Sequence, residues 1–150
     1  MSYLVDTNVL LRSVQTFHPM HSAAVRAIDV LLNNEILSVI PQNFIEFWAV
    51  ATRAKTSNGL GLTVEEAAAR IQFIKSVLQL LPDVDGIFEE WERLVFQHQV
   101  LGKQVYDARL VAAMRVHGLT HLLTFNTGDF QRFTEITATS PPAILSDQST

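Results

Sequence analysis

Short β-prone runs alternate along this chain with longer stretches whose apolar residues recur at helical spacing, and that alternation restricts the fold more than any other feature. Residues 2–5, 36–40 and 121–125 are brief and mostly apolar, each followed at once by a polar residue or a proline. The spacing predicts helices starting at residue 7, over 19–34, from 41 through Val50, from Thr63 to about 77, over 85–100 and over 106–117. Thr63 with Glu66 forms a capping-box pattern, the Asn33-Asn34 pair supplies a stop, and Gly118 closes the 106–117 helix. Residues 77–81 fit a third strand or a helical end, 126–130 a turn, and 136–140 an edge strand before a Pro-Pro pair and a polar tail at about 146–150. Strands that alternate with helices in this way call for right-handed crossovers. The expected fold is α/β, a three-layer α/β/α sandwich on a central parallel sheet of four to five short strands, with residues 1–150 as a single domain.

Composition narrows the chemistry. With 48% apolar and 17% charged residues over 150 positions, the chain suits one core that needs no covalent staples. It has no cysteine, which removes disulfides, zinc-thiolate sites and thiol nucleophiles. The longest apolar runs are five residues, residues 47–51 among them, against the roughly 20 that a spanning helix needs. The first residues carry no basic leader, so the expected location is the cytoplasm. Net charge is -4 and no basic run occurs, which argues against a broad cationic nucleic-acid surface. A pocket of acidic groups masked by bound cations is the exception.

In open parallel sheets ligands sit beyond the carboxyl ends of the strands, and this sequence places oxygen-bearing side chains there repeatedly. Asp6 follows the first run, Glu46 lies early in the helix after the second, and Asn126 and Asp129 follow the 121–125 run. Asp107 falls in the first turn of its helix, where the dipole and free amides favour a carboxylate. Each has a plain alternative: Asp6 as a helix cap, Asp107 as a dipole partner, Asn126 and Asp129 as turn formers. Glu46, flanked by Phe44, Ile45, Phe47 and Trp48, needs either a solvated stripe or a cation. Convergence on one edge favours ligands over four unrelated caps and turns. Hard oxygen donors without cysteine suit Mg²⁺ or Mn²⁺, and the matching chemistry is attack of a metal-activated water on a phosphodiester.

Four blocks carry a resemblance: residues 4–10 (Leu-Val-Asp-Thr-Asn-Val-Leu), Glu46, residues 106–114 with His117 and Gly118, and residues 122–130 (Leu-Leu-Thr-Phe-Asn-Thr-Gly-Asp-Phe). In these the chain resembles the PIN domain family, and within it the VapC-type ribonuclease toxins of type II toxin–antitoxin pairs, from Tyr3 to about Leu145. The resemblance implies a divalent-metal-dependent endoribonuclease with Asp6, Glu46 and Asp107 as acidic ligands. It further implies an RNA substrate, a cognate VapB-like antitoxin whose arginine-bearing segment blocks the pocket, and a homodimer. Thr7 and Thr124 match hydroxyl positions that support the ligands. The family's last acidic position falls on Asn126, so either Asp129 substitutes or a second metal is weakly held.

Arg12, Arg53, Lys55 and Arg109 are candidate phosphate contacts, with surface solvation as the alternative. His18, His21, His117 and His121 lack a supporting ligand motif and fit capping or packing. Trp48, Trp91 and the nine phenylalanines fit core positions, without indicating a base-stacking platform. Two other classes compete with the nuclease: a PIN-like binding module that lost turnover through Asn126, and a receiver-type regulatory domain. The receiver would require an acidic pair before the first helix, which Asp6-Thr7-Asn8 does not supply.

Overall fold

The computed structural model describes residues 1–148. Elements run in the order β1 (Ser2–Val5), α1 (Thr7–Val14), α2 (His21–Leu32), β2 (Ile36–Val39), α3 (Pro41–Thr52), α4 (Val64–Val77), β3 (Gln79–Leu80), α5 (Ile87–Gln97), α6 (Gln104–His117), β4 (His121–Leu123), β5 (Thr137–Thr139) and α7 (Pro141–Gln148). The five strands form one sheet in the order β3-β2-β1-β4-β5, every pairing parallel, with Leu4 opposite Ser38 on one side and Leu122 on the other.

Period-2 alternation in β1 divides the core into two layers. Tyr3 and Val5 face α1, α2, α3, α4 and α7 through Val9, Ala24, Phe47, Ala67 and Ile144. Leu4 and Leu122 face the α5–α6 pair through Leu94, Val111 and Met114. Burying each large aliphatic side chain contributes roughly 1.5–3 kcal/mol, so both faces of the short central strands are committed. This is the three-layer α/β/α arrangement expected.

From β1 the chain crosses to β2 and β3 on one side, then returns to β4 and β5 on the other. The switch point lies between β1 and β4, where no crossover helix closes the crevice above the strand ends. The ladder extends past both strands there: the Asp6 N–H donates to the Leu123 carbonyl at 2.9 Å. Asp6 and Thr124 therefore emerge side by side.

Local signals act as their chemistry requires. Thr63 Oγ1 accepts the Glu66 N–H, and Glu66 Oε1 the Thr63 N–H, both at 3.1 Å. Gly118 ends α6 at φ 73°, a left-handed conformation that glycine adopts without cost.

Several expectations need correction. Residues 141–148, including the first part of the tail expected at about 146–150, form the helix α7, which packs on α2. Proline is tolerated in a first turn, where its missing N–H has no partner to lose. Of the tail expected over 146–150, residues 149 and 150 lie outside the described residues. The third strand is reduced to Gln79 and Leu80. Ile36, at the start of the mostly apolar 36–40 run, is exposed. Nor are all phenylalanines core: Phe17, Phe73, Phe88 and Phe96 are exposed.

Candidate functional site

Asp6 sits at the N-cap of α1 with extended backbone, and its two carboxylate oxygens are divided between tasks. Oδ1 accepts the Thr7 N–H at 2.7 Å; Oδ2 accepts the Thr124 hydroxyl at 2.8 Å and the Asn8 side-chain amide at 3.5 Å. Asn8 also donates to Thr124 Oγ1 at 3.1 Å and accepts the Phe125 N–H at 3.1 Å, while the Asn126 N–H donates to Thr124 Oγ1 at 3.0 Å. A ring of short bonds thus clamps the end of β1 to the end of β4.

A second set of bonds brings α3 to the same place. Pro41 opens the helix, and Asn43, fully buried, closes its first turn by accepting the Ile40 N–H at 2.9 Å. The Asn43 amide also donates to Thr7 Oγ1 at 3.3 Å. The Thr7 hydroxyl proton is shared between Glu46 Oε2 at 3.3 Å and the Asn43 carbonyl at 3.4 Å. The other Glu46 oxygen, Oε1, accepts the Gln42 amide at 2.8 Å. Gln42 ties α3 to α6, donating to the Tyr106 carbonyl at 2.9 Å and accepting from Arg109 Nη1 at 3.2 Å. Asp107 follows Tyr106 in the first turn of α6.

Charge shows how closely the carboxylates gather. The Asp6 carboxyl is pushed up from 3.8 to about 6, first by burial and then by the charges of Glu46 and Asp107, against the lowering hydrogen bonds of Thr124 and Thr7. Asp107 is likewise raised to about 6 by burial and by Asp129 and Glu46, with the Arg132 guanidinium pulling it back. Asp6, Glu46, Asp107 and Asp129 therefore share one region. Among the described residues, no three His, Asp or Glu side chains are close enough together to form a ready metal-binding group. The donor chemistry, carboxylate oxygens with an excess of negative charge, fits a hard divalent cation.

Asn126 is exposed; its backbone N–H serves Thr124, and its carbonyl accepts the Asp129 N–H at 3.1 Å. Asp129, also exposed, lies in the 3₁₀ turn Thr127–Phe130 and contributes its charge to Asp107.

Of the candidate phosphate contacts, Arg109 alone is tied to this hydrogen-bond network, and its Nη2 donates to Asp83 at 3.3 Å. Arg12 is in the last turn of α1, about 9 Å along the axis from Asp6, bonded to Gln15. Arg53, at the end of α3 about 10 Å beyond Glu46, reaches the Ser57 carbonyl, and Lys55 packs against Gly61. Sequence reasoning missed Gln42, Asn43, Asn8 and Arg132. The Gln42–Glu46 spacing of four residues on a helix was the one available signal.

The model of the PIN domain family matches residues 3–136. The chain belongs to the PIN domain family. Its fold is shared by VapBC2 from Rickettsia felis, in a complex with a DNA fragment from its promoter (TM-score 0.72, 14% identity, 93% of this chain and 98% of that one). VapBC-1 from nontypeable Haemophilus influenzae superposes with TM-score 0.70 at 18% identity, covering 95% and 99%. VapC20 from Mycobacterium tuberculosis, a sarcin-ricin loop cleaving toxin, gives 0.64 at 20%, covering 88% and 95%. No curated protein matches the chain. In this PIN domain Asp6 stands at the switch point between β1 and β4, and no helix among the described residues is long and apolar enough to cross a membrane.

Proposed function

We propose that this PIN domain is a divalent-metal-dependent endoribonuclease, the toxin of a type II toxin–antitoxin pair. The observation that carries the reading is the gathering of carboxylates at the strand ends, where burial first of all, then Glu46 and Asp107 for Asp6, and Asp129 and Glu46 for Asp107, push both carboxyls up to about 6. Carboxylates that repel one another from separate segments are costly to the fold and useful to a cation. Asp6, Glu46 and Asp107 would hold Mg²⁺ or Mn²⁺, with Asp129 rather than Asn126 completing the set because an amide brings no charge. When bound, the metal supplies an activated water and neutralises charge at the scissile phosphodiester.

The chain's own residues do the positioning. Thr124 and Thr7 fix the rotation of Asp6, Thr7 and Gln42 hold the two oxygens of Glu46, and Gln42 keeps α6 and Asp107 in register with α3. Such outer contacts are typically responsible for 10–100-fold in metal affinity or activity. The similarity to VapBC complexes supports a VapB-like antitoxin as partner, with a homodimer and a cytoplasmic location as parts of the same proposal.

Purified protein with Mn²⁺ or Mg²⁺ is expected to cleave RNA, and Asp6→Asn to abolish cleavage while the variant still melts cooperatively. Equal behaviour of wild type and variant across varied RNAs overturns the reading in favour of a PIN-like binding module without turnover.

A further inference from the structure

Beside the carboxylates, on the far side of Gln42, a cavity of about 400 Å³ opens between α5, α6 and the segment before α5. Its walls are Ile87, Phe88, Trp91, Val105 and Tyr106, and its polar rim is Asp83 with Arg109. Phe88 and Tyr106 are each 63% exposed, more than aromatic side chains committed to packing would be. The Trp91 ring is held in place: its indole N–H donates to the Val105 carbonyl at 2.9 Å, and Phe88 lies against it at 5.5 Å between centroids. At the rim, Arg109 is fixed between Gln42 and Asp83 and uses two of its five donors. Tyr106 directly precedes Asp107, and its carbonyl is bonded to Gln42, whose amide also holds Glu46. Cavity and carboxylates thus share a wall.

We propose that this cavity receives one unstacked RNA base next to the scissile phosphate and thereby sets the sequence preference of cleavage, an inference that rests on the ribonuclease reading. An apolar cavity with aromatic rings on its wall, one of them held by a backbone hydrogen bond, suits a π-face. A carboxylate and a guanidinium at one rim suit the edge of a base, which offers both N–H donors and oxygen or nitrogen acceptors. A phosphate is disfavoured there, because Asp83 would repel it. Phe88, expected in the core, is in this role part of a stacking surface, which composition and helical spacing could not reveal.

The test uses the whole protein without metal, titrated separately with adenosine, guanosine, cytidine and uridine while the indole N–H resonances are followed. At least one nucleoside is expected to shift Trp91 and leave Trp48, in the opposite layer, unmoved. Phe88→Ala, an exposed position whose loss spares the core, should weaken that response about fivefold or more and redistribute cleavage sites on a mixed-sequence RNA. A Trp91 response in a protein that cleaves no RNA supports the base site and sinks the nuclease reading. Cleavage without any Trp91 response does the reverse. If Phe88→Asp instead converts a dimer to a monomer and no nucleoside binds, the face belongs to a second copy of the chain and the proposal is overturned.

Discussion

The Thr124 hydroxyl donates to Asp6 Oδ2 at 2.8 Å across 118 positions of sequence, joining the ends of two neighbouring parallel strands at the point where the chain's direction of travel through the sheet reverses. Thr124 is fully buried, and the same oxygen accepts from Asn8 and from the Asn126 N–H. Thr124→Val keeps the shape and strands three bonds. It is expected to destabilise the fold by about 2–3 kcal/mol and to depress cleavage, whereas Thr124→Ser restores most of both. Urea unfolding and RNA cleavage on the three proteins check this, and equal losses in the Val and Ser variants would remove the hydroxyl from the account.

Asp6 is held at about 6 in the folded state against 3.8 ordinarily, so the native protein binds this proton more tightly than the unfolded chain does. Its contribution is therefore neutral below about pH 4. It turns unfavourable as pH rises to about 6, reaching about 3 kcal/mol as an upper limit at neutral pH. Asp6→Asn cannot ionise, though its amide nitrogen would face the Asn8 amide and give part of that gain back. The variant's stability relative to wild type should rise between pH 4 and pH 7.5, measured by denaturant unfolding without metal. A difference that does not change with pH would contradict the assigned elevation.

Gln42 touches Glu46, the Tyr106 carbonyl and Arg109 from a half-exposed position. Gln42→Ala should lower metal affinity by roughly 10–100-fold with little change in melting temperature. Isothermal titration with Mn²⁺ separates this from a folding defect, and an unchanged dissociation constant would show that Glu46 needs no such support.

Phe47 and Ile45 flank Glu46 on α3 with opposite fates, one fully buried and the other 69% exposed. Phe47→Ala is expected to cost about 3–5 kcal/mol and Ile45→Ala less than about 0.5 kcal/mol. Comparable losses at the two sites would mean that α3 packs the other way round.

Much of this organisation is legible in the chain because it depends on local patterns. Alternation in residues 2–5 places Leu4 against one layer and Tyr3 and Val5 against the other, and the Thr63–Glu66 and Gly118 signals are contained within a single turn. What escaped depends on distance in the chain. Asn8 acts through Thr124 and Phe125, Asn43 through Thr7, and Arg132 through Asp107, pairings that exist only once the sheet has formed. Arg12 and Arg53 show the converse, since the rise of a helix carries each of them about 9–10 Å along its element from the acidic residue that precedes it in sequence. The Pro-Pro pair, expected only to follow the edge strand, opens α7.

The central position of β1 has a consequence for biosynthesis. Because its partner β4 lies more than a hundred residues downstream, a growing chain still lacking residues 121–124 has no clasp for Asp6. Prematurely terminated products of translation are thus expected to leave the end of β1 unpaired and Asp6 without the Thr124 hydroxyl.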